Sequence, residues 1–208
     1  MPMLKTIQWK TFSRDFIVIQ LGFALFGLAI ALLIQANLGT SPWVILEVAI
    51  SQLTGLSTGT MIVLMGALIL LLDILLKEPI GWGTLTNILF IGPWVDVFLK
   101  LLPSIEDQWF IQILMLFGAA LFMGVATAIY IGVDAGAGPR DSLMLGIKRV
   151  TGKSLRVARG GIELLVAFAG WILGGPIGFG TVIFALLIGP SVQWAFKVFK
   201  VKTGSNIN

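Results

Sequence analysis

The chain has 208 residues, 57% of them hydrophobic and 12% charged, with a formal net charge of +4 and a mean hydropathy of +0.99. A soluble domain carries about 25% charged residues, so this chain has too little charge to cover itself against water, and it reads as an all-α membrane protein. It contains neither cysteine nor histidine, which excludes disulfides and thiol chemistry and leaves no ordinary donor set for zinc, copper or haem. No metal, cofactor or nucleic acid is expected as a partner; the lipid bilayer is.

Crossing roughly 30 Å of hydrocarbon takes a helix of about 20 apolar residues, and the chain offers six such stretches. The first, about 16–36, follows a basic prelude of Lys5, Lys10 and Arg14. That prelude resembles a signal peptide, but the apolar run is long for one and has a counterpart later in the chain. A short helix is predicted next, about 43–53, after the turn Gly39-Thr-Ser-Pro42. Proline suits the first turn of a helix, where its missing N–H costs nothing. Long helices follow at about 58–76 and, after the turn Pro79-Ile-Gly81-Trp-Gly83-Thr84, at about 83–101.

The same four parts then recur. An offset of 97 residues places Gly39-Thr-Ser-Pro42 on Gly136-Ala-Gly-Pro139, Thr54-Gly55-Leu56-Ser57 on Thr151-Gly152-Lys153-Ser154, and Ile91-Gly92-Pro93 on Ile188-Gly189-Pro190. Apolar composition alone does not put glycine and proline in register along a whole unit. The second copy is predicted as a long helix at about 110–133, a short one at about 140–150, and long ones at about 155–173 and 180–199. The organisation is therefore a cytoplasmic N-terminal segment (1–15), a first copy (16–103), a second copy (104–199) and a cytoplasmic tail (200–208). Ser57 and Ser154 are candidate N-caps. Gly92-Pro93 and Gly189-Pro190 are expected to kink or interrupt the last helix of each copy.

From Pro42 to Gly55 a helix rises only about 20 Å, short of the hydrocarbon thickness. The short helices are therefore read as re-entrant or interfacial. Each copy then has three spans, an odd number, and the second copy is inverted relative to the first. With the N-terminus inside, every lysine and arginine except Lys100 falls on the cytoplasmic side, as the positive-inside rule expects. Charge counting alone does not choose between this arrangement and eight spans with parallel copies; length favours the first.

Irregular backbone at membrane depth is tolerated only against protein or a water-filled cavity. A short helix after such a turn aims its N-terminal N–H groups into that cavity. Gly39, Pro42, Gly136 and Pro139 are therefore candidate substrate-binding elements, against the plainer reading that they make tight turns. Glu163 lies in the middle of an apolar helix, and an ionisable residue there is a functional candidate by default; Arg159, four residues earlier, is its natural ion-pair partner. Arg140, Arg156 and Arg159 form a candidate cationic vestibule suited to carboxylate or phosphate, or else set topology and touch anionic lipid. Asp141 is placed to pair with Arg140. Glu47 is the one acid of the first short helix and faces either a cavity or the water interface. Asn87 and Gln35 read as helix-packing hydrogen-bond groups. Asp73 and Asp96, near helix ends, read as solvated, and the tryptophans read mostly as interface anchors.

Gly136-Ala-Gly-Pro-Arg-Asp-Ser142, Thr151-Gly-Lys-Ser154, Gly174-Gly-Pro-Ile-Gly178 and the run from Gly180-Thr181 to Ile188-Gly-Pro-Ser191 resemble the YczE/YyaS/YitT family of bacterial membrane proteins, in its YczE-like branch. The resemblance covers nearly the whole chain and implies a bacterial inner-membrane protein, without a substrate. In that branch an aspartate often stands two places after the proline of both turns. Here Asp141 keeps it and Val44 does not. The architecture points to a small-solute secondary transporter or permease, with Glu163 its coupling group and its substrate a small molecule, an anion being the class the arginines suit. The rival is an accessory membrane protein that regulates a partner, and a homo-oligomer is compatible with either. No constellation of an intramembrane enzyme is present.

Overall fold

The computed structural model describes residues 7–201. Lys5, Lys202 and the outer parts of both terminal segments lie outside them. Eight helices account for most of the described chain: α1 (Phe12–Gln35), α2 (Pro42–Thr54), α3 (Thr58–Leu75), α4 (Trp82–Leu101), α5 (Trp109–Gly132), α6 (Pro139–Thr151), α7 (Leu155–Ile172) and α8 (Phe179–Val198). Each of the last four begins and ends 97 residues after its equivalent among the first four. The predicted elements are all present, and α1 starts four residues earlier than expected.

Local chemistry explains the shared boundaries. Pro42 and Pro139 open α2 and α6 at their first turn, and Gly55 (φ 74°) and Gly152 (φ 67°) close them in the left-handed conformation. The Ser57 and Ser154 hydroxyls accept from the N–H groups of Thr60 (3.1 Å) and Val157 (3.3 Å), the N-caps the sequence predicts. Pro93 and Pro190 do not interrupt their helices; α4 and α8 continue through them. One lost backbone bond is tolerated inside a helix whose other bonds have no competing water.

Among the described residues, five helices, α1, α3, α4, α5 and α8, are long and apolar enough to cross a membrane. The sixth expected span, α7, has the 18-residue length of α3 but carries Arg156, Arg159 and Glu163. At 13 residues each, α2 and α6 rise about 20 Å.

The central pair, α1 and α5, runs antiparallel. Gln112, near the start of α5, donates through Nε2 to the carbonyl of Ala36 at the end of α1 (2.9 Å). Further along, Gly22 packs on Ala126 and Ile129, and the Phe23 and Tyr130 rings lie 5.9 Å apart. Parallel to α1 runs α4: Phe12 meets Trp82, Gly27 meets Trp94 and Val95, and Gln35 donates to the carbonyls of Leu99 (3.1 Å) and Leu102 (2.6 Å). In the same way α8 runs parallel to α5, with Gly124 on Ser191 and Gly132 on Val201. The direction of α3 is opposite to that of α4, since Gly59 meets Gly92 and Asp96 while Gly66 meets Ile88. Thus α1, α3 and α4 run up, down and up, and α2 adds no net traverse between them. Ile19, Phe23, Ile30, Leu33, Val95 and Leu116 form the fully buried centre. Large side chains such as Phe110, Leu164, Leu165 and Leu186 face outward, an apolar surface that lipid must cover.

The copies interlock by exchanging turns. The N–H of Gly83 at the start of α4 donates to the carbonyl of Ala135 after α5 (3.0 Å), and the N–H of Gly180 at the start of α8 donates to the carbonyl of Leu38 after α1 (2.7 Å). Those two bonds are equivalent under the 97-residue offset. Gly39 (φ 103°) lies on Gly178 and Thr181, and Gly136 (φ 125°) on Gly81 and Thr84, again as equivalents. Both turns need glycine, because an L side chain disfavours such a φ and would strike the partner backbone.

One relation is not repeated. The backbones of α3 and α4 come into direct contact at Gly59 and Gly92, and Asp96 accepts from the Gly59 N–H (2.8 Å) and the Ser57 hydroxyl. In the second copy Arg156 and Gln193 stand where Gly59 and Asp96 do. Among the described residues α7 makes no comparable packing on α8, and Gly160, Gly161 and Gly189 adjoin open space.

Candidate functional site: the meeting of the two short helices

The exchanged turns bring the first turns of α2 and α6 face to face, with α2 packed on α7 and α6 on α3. Arg140, the second residue of α6, forms an ion pair with Glu47 of α2, and its guanidinium lies over the Trp43 ring, 5.0 Å from the centroid. Arg140 and Trp43 are equivalent residues of the two copies, so their contact marks the local twofold axis. Glu47 is fully buried, while the Arg140 side chain is 24% exposed. A buried carboxylate persists only when paired, and one arginine supplies that pairing through Glu47 Oε1. Glu47 Oε2, Trp43 Nε1 and Thr40 Oγ1 are buried without a hydrogen-bond partner. Beside this pair, Tyr130 of α5 donates its hydroxyl to Asp141 Oδ2 (3.0 Å). The Asn87 amide adjoins Gly138.

Several expectations change. Asp141 binds Tyr130, not Arg140, because Arg140 reaches across the axis to Glu47. Glu47 touches neither bulk water nor an open cavity; it is sealed between the copies. Trp43 is a buried stacking partner, not an interface anchor. Asp73 is fully buried, not solvated, and Asp96 is tied to α3. Glu163 pairs with Arg159, Nε to Oε1 2.9 Å, with side chains 30% and 52% exposed. Arg156 is exposed on α7. The expected vestibule therefore divides: Arg140 is engaged at the axis, Arg159 is held by Glu163, and Arg156 stands apart. Gly39, Pro42, Gly136 and Pro139 shape the turns that aim Glu47 and Arg140 at each other.

Tyr130 and Thr40 were not singled out by sequence reasoning, and Trp43 was read only among the interface anchors. Tyr130 is the one tyrosine of the chain, and its polar tip within a long apolar helix was the signal available. Trp43 was legible as the positional equivalent of Arg140.

Two depressions lie elsewhere. One, of about 90 Å³, is lined by residues including Phe12, Asp15, Trp82 and Val133; the other, open and of about 530 Å³, lies among α1, α5 and the end of α8. Neither includes Glu47 or Arg140.

The fold and site define an integral membrane protein of apolar helices built by internal duplication. The chain belongs to the DUF6198 family, a family of unknown function, which it matches over residues 13–197. It is 36% identical over 187 residues to the uncharacterised membrane protein YczE of Bacillus subtilis, covering 88% of this chain and 82% of that one. It is 34% identical over 195 residues to an uncharacterised protein of Haemophilus influenzae (94% and 87%), and 32% identical over 173 residues to YyaS of Bacillus subtilis (81% and 86%). No solved structure matches.

Proposed function

We propose that the protein is a small-solute secondary transporter or permease of the bacterial inner membrane, with its two copies inverted in the bilayer and both termini cytoplasmic. The antiparallel central pair and the absence of a net traverse by α2 support inversion. Two interlocked copies joined at a polar axis suit alternating access, in which one half rocks against the other around a fixed site.

The observation that carries the reading is the Glu47–Arg140 pair with its unpartnered polar neighbours. A small anion bearing a carboxylate or phosphate competes with Glu47 for the Arg140 fork. Arg156, exposed on α7, supplies further positive charge for its approach. Two measurements test this. The chain has no cysteine, so single cysteines on either side of α2 and α6 report topology by impermeant labelling. Both flanks of one short helix are expected to label from the same side, and opposite sides for α2 and α6. Labelling of the two flanks of one helix from different sides ends the inverted reading. Proteoliposomes supplied with radiolabelled succinate or inorganic phosphate, with and without a pH gradient, are expected to accumulate solute above empty vesicles and to lose this with Arg140→Gln.

The second reading, an accessory protein that regulates a membrane partner, draws on the depressions lying away from the ion pair. Absence of flux together with co-purification of a fixed partner favours it.

A further inference from the structure

The duplication treats one helix crossing differently in its two copies. Gly170 and Gly175 let the α2 backbone at Ile45 and Leu46 lie directly on α7 and the turn after it. Their equivalents at the α3–α6 crossing are Asp73 and Glu78. Two carboxylates occupy the place of two glycines.

Asp73 is fully buried, and neither of its carboxylate oxygens has a hydrogen-bond partner. Glu78 is close, its N–H donating to the Asp73 carbonyl (2.9 Å). Arg149 of α6 pairs with Glu78 Oε1 (2.6 Å) and donates to the Leu76 carbonyl, while Gly146 of α6 presses on Leu76 and Glu78. None of the remaining charges on the packed elements is bonded to Asp73. Lys77, which follows α3, is exposed, Lys148 of α6 makes no bond to the Asp73 carboxylate, Asp96 of α4 is bound at the opposite end of α3, and Glu47 of α2 is taken by Arg140. Glu78 thus has a cation and Asp73 has a like charge for its neighbour.

An ionised carboxylate in an apolar site with no donor is strongly disfavoured, and a second carboxylate beside it disfavours it further. A bound proton removes both penalties without moving any side chain. We propose that Asp73 is a proton-binding site, filled while α6 seals the end of α3 and emptied when that crossing opens to water. The step takes a proton from hydronium to one carboxylate oxygen and returns it to water; nothing is oxidised or reduced. The site lies on a different crossing from the Glu47–Arg140 pair and from Glu163, and it does not require that the protein transport a solute.

Infrared difference spectroscopy of the protein reconstituted in lipid vesicles tests it. At about pH 7 a carboxylic-acid carbonyl band that shifts in heavy water is expected. Asp73→Asn abolishes that band and Glu163→Gln leaves it. Asp73→Ser is the second variant if the asparagine form fails to fold. Absence of the band in the unaltered protein, its persistence in both Asp73 variants, or its displacement by sodium ions at constant pH overturns the proposal. A missing band with intact solute flux removes the proton site alone; a band without flux removes the transporter reading alone.

Discussion

Arg140 stacks on Trp43, and each is the other's positional equivalent in the duplicated chain. With the reciprocal Gly83–Ala135 and Gly180–Leu38 bonds, that contact places both residues at the local twofold axis, which is occupied here by two chemically different side chains. Duplication supplied the geometry, and divergence made it a site: Trp43 offers a face, Arg140 a cation, and Glu47 the counter-charge that Met144, its own equivalent, does not provide.

The ion pair sets a first expectation. Arg140→Leu strands a buried Glu47 carboxylate and is expected to cost about 3–5 kcal/mol, because removing one partner of a buried pair leaves an uncompensated charge. Combining it with Glu47→Gln is expected to recover most of that loss. Thermal unfolding of the detergent-solubilised single and double variants measures the coupling.

The unequal helix crossings set a second. Gly92→Ala drives a methyl into the Gly59 backbone and Val63 and is expected to destabilise by about 1–3 kcal/mol. Gly189→Ala, at the equivalent place on α8, meets open space and is expected to stay within about 0.5 kcal/mol of the parent. Equal effects from the two substitutions, read by thermal unfolding, sink this account of the asymmetry.

Asp96 provides a third. It accepts from the Gly59 N–H and the Ser57 hydroxyl at the start of α3, where a negative charge also suits the helix dipole. Asp96→Ala is expected to cost about 1–3 kcal/mol and to raise amide hydrogen exchange over 57–61 while leaving 154–158, the equivalent stretch, unchanged.

The interlocking turns give a fourth. Gly39→Ala and Gly136→Ala impose a side chain at φ values of 103° and 125° and on partner backbone. Each is expected to cost at least about 1–3 kcal/mol and to lower the yield of folded protein. Gly55→Ala and Gly152→Ala, at left-handed caps with nothing nearby, are expected to be milder. Fluorescence-detected size-exclusion profiles compare the four.

The architecture was legible because the duplication writes the same punctuation twice: glycine and proline mark where backbone must turn, and those residues stayed in register. Helix bounds therefore emerged within a few residues, along with the serine caps and the Arg159–Glu163 pair, whose members are four residues apart on one helix. What escaped was every relation that depends on which copy touches which. Glu47 and Arg140 lie 93 residues apart, and no periodicity announces that one arginine will cross an axis to meet an acid in place of its neighbour Asp141. Asp73 was misjudged for a related reason. Nearness to a helix end usually means water, but here α6 covers that end. The prolines of α4 and α8 do not interrupt their helices, since a lost bond breaks a helix most readily when water competes for the freed carbonyl.

The exchanged bonds, Gly83 to Ala135 and Gly180 to Leu38, make each half depend on the other. A single unit ending near residue 103 would leave the start of its last helix unmatched and its own turn with nothing to rest on. Under the inversion proposed above, two such polypeptides inserted in opposite senses would satisfy each other, and each half would need its counterpart to complete these two bonds. Expressing the two halves as separate chains, cut between α4 and α5, would re-create that partnership, and neither half is expected to accumulate without the other.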